Sequence, residues 1–301
     1  MVNSKTTQAQ RSYLRRDRCA CAYLCRYTIR TSLPLAFVQK SIRRYCLMPP
    51  SILSQRQRRL WLALVLASFG LIVGSSHLQA QPLPLPEHLT DLTSPTGQTL
   101  LQESEAQTDF LPLMSQYVTQ ENQAFCGIAS MVMVLNSLGV PAPNAPEWNR
   151  DYFTQENLFN AETEAVIPRE RIARQGLTLE ELARILASYP VEVESHHGSD
   201  VSLDQFRQLV ATNLAEPNNF IVINYLRRSI GQESGGHISP LAAYDADTDR
   251  VLILDVSRYK YPPVWVEVEA LWNATNSIDS VSGLSRGLVT VSSDGSYTVG
   301  E

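Results

Sequence analysis

Cys126-Gly127-Ile128-Ala129-Ser130-Met131-Val132-Met133-Val134-Leu135-Asn136-Ser137-Leu138-Gly139 is the stretch whose reading decides the fold. Ile128, Met131, Val132, Leu135 and Leu138 recur at helical spacing, which predicts a helix over 126–138 with one apolar stripe toward the core. Gly139 supplies a C-cap and Pro141 prevents continuation. A cysteine therefore opens the helix, where unpaired N–H groups and the positive dipole end favour its thiolate. Further helices are expected over about 178–188, 202–215 and 268–276. Extended segments follow at 191–195, 220–226, 237–244, 251–257 and 288–292. Helices first and antiparallel strands later indicate an α+β domain.

Charge divides the chain. Of 25 basic and 30 acidic residues, thirteen basic and one acidic fall in 1–59, leaving twelve against twenty-nine and a net charge near −17 beyond. The basic part is not read as a nucleic-acid arm, because it runs into the apolar stretch Leu60–Val73 behind Arg56, Arg58 and Arg59. A basic segment, a short apolar core and the small residue Ala80 form a secretory signal over 48–80. Met48 is the expected start, with 1–47 as upstream translation. The expected location is outside the cytoplasm, in the periplasm; the alternative is a membrane anchor over 60–74. Residues 81–108 are Pro-, Ser- and Thr-rich and read as an exposed linker, 109–292 as one domain, and 293–301 as a frayed tail. Cys19, Cys21, Cys25 and Cys46 precede the linker, so the expected mature chain keeps only Cys126. A lone thiol builds neither an internal disulfide nor a Cys-rich metal cluster. It is a buried filler or it is reactive.

A nucleophilic cysteine needs a base. His88 lies in the expected linker, and His196 and His197 read as a solvated loop pair. His237 follows Gly235 and Gly236, which let backbone approach a ligand closely, and starts an apolar strand. Asp255 ends the apolar run Val251–Leu254 and is the candidate to orient the imidazole. Gln120, six residues before Cys126, is the candidate oxyanion donor beside the Cys126 N–H. For His237 and Asp255 to share a sheet face, the hairpin around Asp245–Arg250 must pair with an even index sum, such as Tyr244 opposite Thr248. An odd sum without a bulge would separate them. The order Cys, distant His, then acid fits papain-type catalysis. An α+β binding domain with one buried cysteine remains the alternative.

The stretches 120–130 and 134–136, Gly236-His237-Ile238-Ser239-Pro240-Leu241, 252–266, Leu271-Trp272 and Ser277-Ile278-Asp279 resemble the phytochelatin synthase family. The resemblance implies a papain-like fold, a triad of Cys126, His237 and Asp255, and Gln120 in the oxyanion hole. It implies glutathione as acyl donor and acceptor, with substrate contacts from Gly236, Arg258, Asp279 and Arg286. No cofactor is permanently bound on this reading. The resemblance also implies that heavy-metal ions such as cadmium, carried as glutathione thiolates, promote the transfer. No nucleic-acid partner is expected, a membrane enters only through an uncleaved leader, and a homodimer is left open. With no cysteine after 126, the chain looks like the short bacterial form, which resembles glutathione hydrolases more than polymerising transferases. Two rivals stand: a papain-like peptidase that trims leader peptides, and a non-catalytic thiol-peptide or metal-thiolate binder.

Overall fold

The structure is a computed structural model that describes Ser54, Gln55 and residues 82–296 except Ser234. The chain divides into two units, Met1–His77 and Leu78–Glu301. The expected upstream segment, signal or anchor, and Cys19, Cys21, Cys25 and Cys46 lie outside the described residues. The sheet and the candidate site belong to the second unit.

In chain order its strands are β1 (Thr90–Asp91), β2 (Asn144–Ala145), β3 (Arg150–Asp151), β4 (Val191–His197), β5 (Asn219–Leu226), β6 (Gly236–Asp245), β7 (Arg250–Ile253), β8 (Val264–Glu267) and β9 (Gly287–Ser293). Its α-helices are α1 (Pro95–Glu103), α2 (Phe110–Ser115), α3 (Cys126–Leu138), α4 (Ala161–Val166), α5 (Arg169–Gln175), α6 (Leu179–Leu186), α7 (Leu203–Ala215) and α8 (Val268–Thr275). Seven strands form one antiparallel sheet in the order β1-β8-β7-β6-β5-β9-β4, and β2 and β3 pair separately. Alternation along the strands gives the sheet two apolar faces. On one face Val222, Ile238, Leu252 and Leu254 pack with α3 and with Leu179, Leu182 and Leu186 of α6. On the other, Ile221, Ile223, Val251 and Ile253 pack with Phe206 and Val210 of α7 and Leu271 of α8. The α+β architecture is as the sequence indicated.

Helix α3 has the expected bounds, and Gly139 closes it in the left-handed region at φ 68°. Its single apolar stripe is corrected, however. Met133, Ala129 and Val134 are as buried as Met131 and Leu135, so the helix is enclosed nearly all round. Each of the larger side chains, Met131, Met133, Val134 and Leu135, contributes roughly 1.5–3 kcal/mol when removed from water, so the element bearing the cysteine is firmly seated.

The exposed linker over 81–108 is also corrected. Leu89, Leu92 and Leu100 are buried, β1 pairs with β8, and Leu83 N donates to Lys260 O at 2.8 Å. Ser94 caps α1, and Trp265 Nε1 donates to Gly97 O at 3.0 Å. The prolines leave the backbone extended while widely spaced leucines anchor it. Strand β8 itself was not anticipated. His88 likewise has a fixed place, with Nε2 3.1 Å from Ile230 O.

The hairpin register differs from the expected one in an instructive way. Near the turn, Asp245 pairs with Arg250 and Tyr244 with Val251, an odd sum, so Tyr244 does not face Thr248. A bulge at Ala242 then shifts the register, and Leu241 pairs with Ile253, an even sum. Continued past Ile253, that register sets Asp255 opposite Ser239, on the face that also carries His237.

Candidate active site

Three elements meet at the site. Helix α3 presents Cys126 at its first position, β6 presents His237 next to its start, and the segment leaving β7 presents Asp255. All three side chains are buried, yet Cys126 and His237 line a cleft of about 470 Å³. Gly127 is needed beside the thiol, because a Cβ there would meet Leu177 Cδ1 at 2.9 Å.

His237 Nε2 lies 2.9 Å from Asp255 Oδ1 and 2.9 Å from Ser239 Oγ. That leaves Nδ1 for the thiol, with which the ring interacts by a hydrogen bond. Tyr225, opposite His237 in β5, sets its ring edge-on to the imidazole, with centroids 5.7 Å apart. Burial raises the Cys126 pKa, but the hydrogen bond and charge of His237, a backbone hydrogen bond at Ile238 and the charge of Arg227 together hold it below its ordinary value. Burial and Arg227 lower the His237 pKa, yet the charge and hydrogen bond of Asp255 and the bond with Cys126 raise it on balance. Burial opposes ionisation of Asp255 too, and His237 and Arg227 override it, holding the carboxyl well below the usual range. The arrangement therefore favours a thiolate facing an imidazolium, the state needed for attack on a carbonyl.

Sequence reasoning missed Arg227, which lies in a short 3-10 turn after β5 and is buried against Asp255. Its Nη2 donates to Asp255 Oδ1 at 2.8 Å, and the Tyr261 ring stacks 5.2 Å away. The signal was an arginine directly after the apolar run Phe220–Leu226, where a buried cation needs a buried anion. Ser257 N also donates to Asp255 Oδ1, at 2.8 Å.

Gln120 is buried, its backbone tied to Val256 O at 3.0 Å and its Oε1 accepting from Ser257 Oγ. Its Nε2 donates to Asn122 O at 2.7 Å, which leaves the second N–H of the amide for another acceptor. Gln155 braces this loop from outside, accepting from Glu121 N and donating to Thr119 O.

Gly236, Asp279 and Arg286 come together on one wall of the cleft. Arg286 Nη1 donates to Asp279 Oδ2 at 3.1 Å and to Asn224 Oδ1 at 2.9 Å. Arg286 Nε and Asn224 Nδ2 are buried and have no partner among the described residues, which leaves two donors beside the thiol's cleft. Asn224 is a further residue that sequence reasoning passed over; a polar residue within the run Phe220–Leu226 was its signal. Arg258 does not join them. It is exposed, outside the cleft lining, and its guanidinium stacks 4.6 Å over Tyr117, whose hydroxyl donates to Asp255 O at 2.6 Å.

His196 and His197 are not a solvated loop pair. They end β4, and His197 is part-buried, with Nδ1 2.6 Å from Ser285 O and Nε2 2.9 Å from Glu180 Oε1. Through Ser285, His197 fastens the loop that carries Asp279 and Arg286, while His196 lies 3.7 Å from Glu194 of its own strand.

Comparison with known proteins bears on this geometry. The family model "Phytochelatin synthase" matches residues 80–288. "Glutathione gamma-glutamylcysteinyltransferase 3" of Lotus japonicus is 34% identical over 223 residues, covering 73% of this chain and 45% of that protein. "Glutathione gamma-glutamylcysteinyltransferase 2" of Arabidopsis thaliana is 34% identical over 183 residues, 61% of this chain and 39% of its own. The chain thus spans less than half the length of these relatives. Among solved structures, the interpain A cysteine protease of Prevotella intermedia superposes loosely, with a TM-score of 0.35, 13% identity, and coverage of 63% of this chain and 96% of that one. The matched span begins at residue 80, just ahead of the Pro-rich segment, and takes in β1, the cysteine helix, the His237 strand and the Asp255 segment, and on that match the chain belongs to the phytochelatin synthase family.

Proposed function

We propose that the chain is a glutathione γ-glutamylcysteinyltransferase. The observation that carries this is the thiol of Cys126 facing the His237–Asp255 pair in a cleft that also holds Asp279 and Arg286. The Cys126 thiolate attacks the carbonyl carbon of the Cys–Gly amide. The oxyanion is met by the Cys126 N–H at the helix start and the remaining N–H of Gln120. His237 gives its proton to the nitrogen of glycine as the C–N bond breaks, leaving a γ-glutamylcysteinyl thioester. His237 then takes a proton from the incoming nucleophile. Water yields γ-glutamylcysteine; the amine of a second glutathione yields the extended peptide. The Arg286 guanidinium suits the donor's α-carboxylate and the Asp279 carboxylate its α-ammonium. Cadmium and similar ions act as part of the substrate, as glutathione thiolates that promote the transfer. The enzyme works outside the cytoplasm on this reading, which N-terminal sequencing of the native protein would check.

The test is to incubate the full chain with glutathione, with and without cadmium, and follow free glycine by mass spectrometry. Glycine release that Cys126→Ser abolishes is expected. Cleavage of leader peptides without glycine release would favour the peptidase, and binding without turnover the non-catalytic binder.

A further inference from the structure

Glutathione carries three charges at neutral pH: the α-carboxylate and α-ammonium of its γ-glutamyl end, and the carboxylate of its glycine. The charged side chains of the cleft, apart from the reacting pair Cys126 and His237, are also three: Arg286, Asp279 and Arg174. Arg286 and Asp279 sit together, 3.1 Å apart, and answer the γ-glutamyl pair. Arg174 belongs to a separate element, the last turn of α5, and no group answers it within the described residues. The other arginines of that helix are engaged: Arg169 pairs with Glu156, and Arg171 lies 3.8 Å from Glu181. Arg174 is exposed, forms no ion pair or hydrogen bond within the described residues, and lines the cleft.

We propose that Arg174 binds the glycyl carboxylate of the donor glutathione and thereby selects a substrate whose scissile amide is followed by a free C-terminal carboxylate. The inference rests on the transferase reading above. The end of α5 and the two residues after it run beside the nucleophile, since Gly176 approaches Ala124 O and Leu177 packs against the position of Gly127. A cation there reaches the part of the substrate that leaves first. It also gives a physical reason for turning away longer peptides, in which that carboxylate is an amide and leaves the guanidinium without an anion.

The experiment compares glycine release from glutathione with glycinamide release from glutathione glycinamide, in the full chain and in Arg174→Gln. Each substrate's intrinsic leaving-group reactivity cancels in the comparison between proteins. The unaltered chain should prefer glutathione, and Arg174→Gln should lose roughly ten- to a hundred-fold of that preference in kcat/KM, the usual effect of one charge-assisted hydrogen-bonding group. Arg174→Lys should recover part of it. A solvated cation at a helix end would leave the preference unmoved in both variants, and that result overturns the inference alone. If the unaltered chain releases no glycine from glutathione, the transferase reading falls and the inference with it.

Discussion

Arg227 grips Asp255 with both ends of its guanidinium: Nη2 donates to Oδ1 at 2.8 Å, and Nη1 lies 2.7 Å from Oδ2. Both residues are buried, so neither charge is tolerable alone. His237 leans on the same Oδ1. The carboxylate that orients the base is thus itself fixed by a cation the cleft never sees.

Removing one member should therefore be expensive. Arg227→Met is expected to cost roughly 3–5 kcal/mol in urea unfolding, because it strands a buried carboxylate. Asp255→Asn should lower kcat by about 10²–10⁴, as the imidazole loses its orienting anion. The double variant should be more stable than the sum of the single losses implies, since no unpaired charge remains.

Acid sensitivity follows from the same pair. The folded pKa of Asp255 is depressed, so its contribution to stability is present above about pH 5, begins to decline near the ordinary value of about 3.9, and is lost progressively as pH falls on toward the depressed folded value. Unfolding free energy measured between pH 6 and pH 3 should drop in the unaltered chain. The drop should be shallower in Asp255→Asn.

Thiol reactivity reports on His237. Its hydrogen bond and charge oppose the burial that raises the Cys126 pKa. In His237→Gln, burial should win, and the pH midpoint of iodoacetamide alkylation should rise to or beyond the free-thiol value of about 8.5. Fluorescence-detected unfolding would show that the fold persists.

Asp109 offers the opposite sign. It is fully buried, neither carboxyl oxygen has a partner among the described residues, and burial holds its pKa up at about 8. A folded pKa above the unfolded one means its contribution is complete below about pH 4 and lost as pH rises toward 8. Asp109→Asn should match the unaltered chain at pH 4 and exceed it by roughly 2–4 kcal/mol at pH 8.

Gly236 is set by a close approach. A Cβ there would overlap the Nη1 of Arg286, which Asn224 and Asp279 hold in place. Gly236→Ala should raise KM for glutathione about ten-fold by swinging that guanidinium away, and should also lower the urea unfolding midpoint, because the buried Asp279 carboxylate loses its partner.

How far the sequence spoke depends on the kind of signal. The bounds of α3 and the strand bearing His237 were legible because apolar period and glycine placement act locally. The packed segment 82–106 was not, because its composition is that of a linker and only its pairing with β8 reveals its burial. Arg227 and Asn224 were passed over because their meaning depends on partners distant in sequence. Arg258 carried the family resemblance, yet its side chain turns onto Tyr117 and away from the cleft.

The bulge at Ala242 separates two design problems. Between it and the turn, the strand pair answers only to the turn and its Asp245–Arg250 closure. Beyond it, the pair answers to the alignment of His237 with Asp255. Were the outer register to run straight on through Ala242 without the bulge, Asp255 would face Pro240, and Ile238 would take the place of His237 on that face, hydrocarbon where a proton carrier belongs. The outer end of the hairpin is thereby free to vary in sequence without retuning the chemistry, provided this single phase correction is kept.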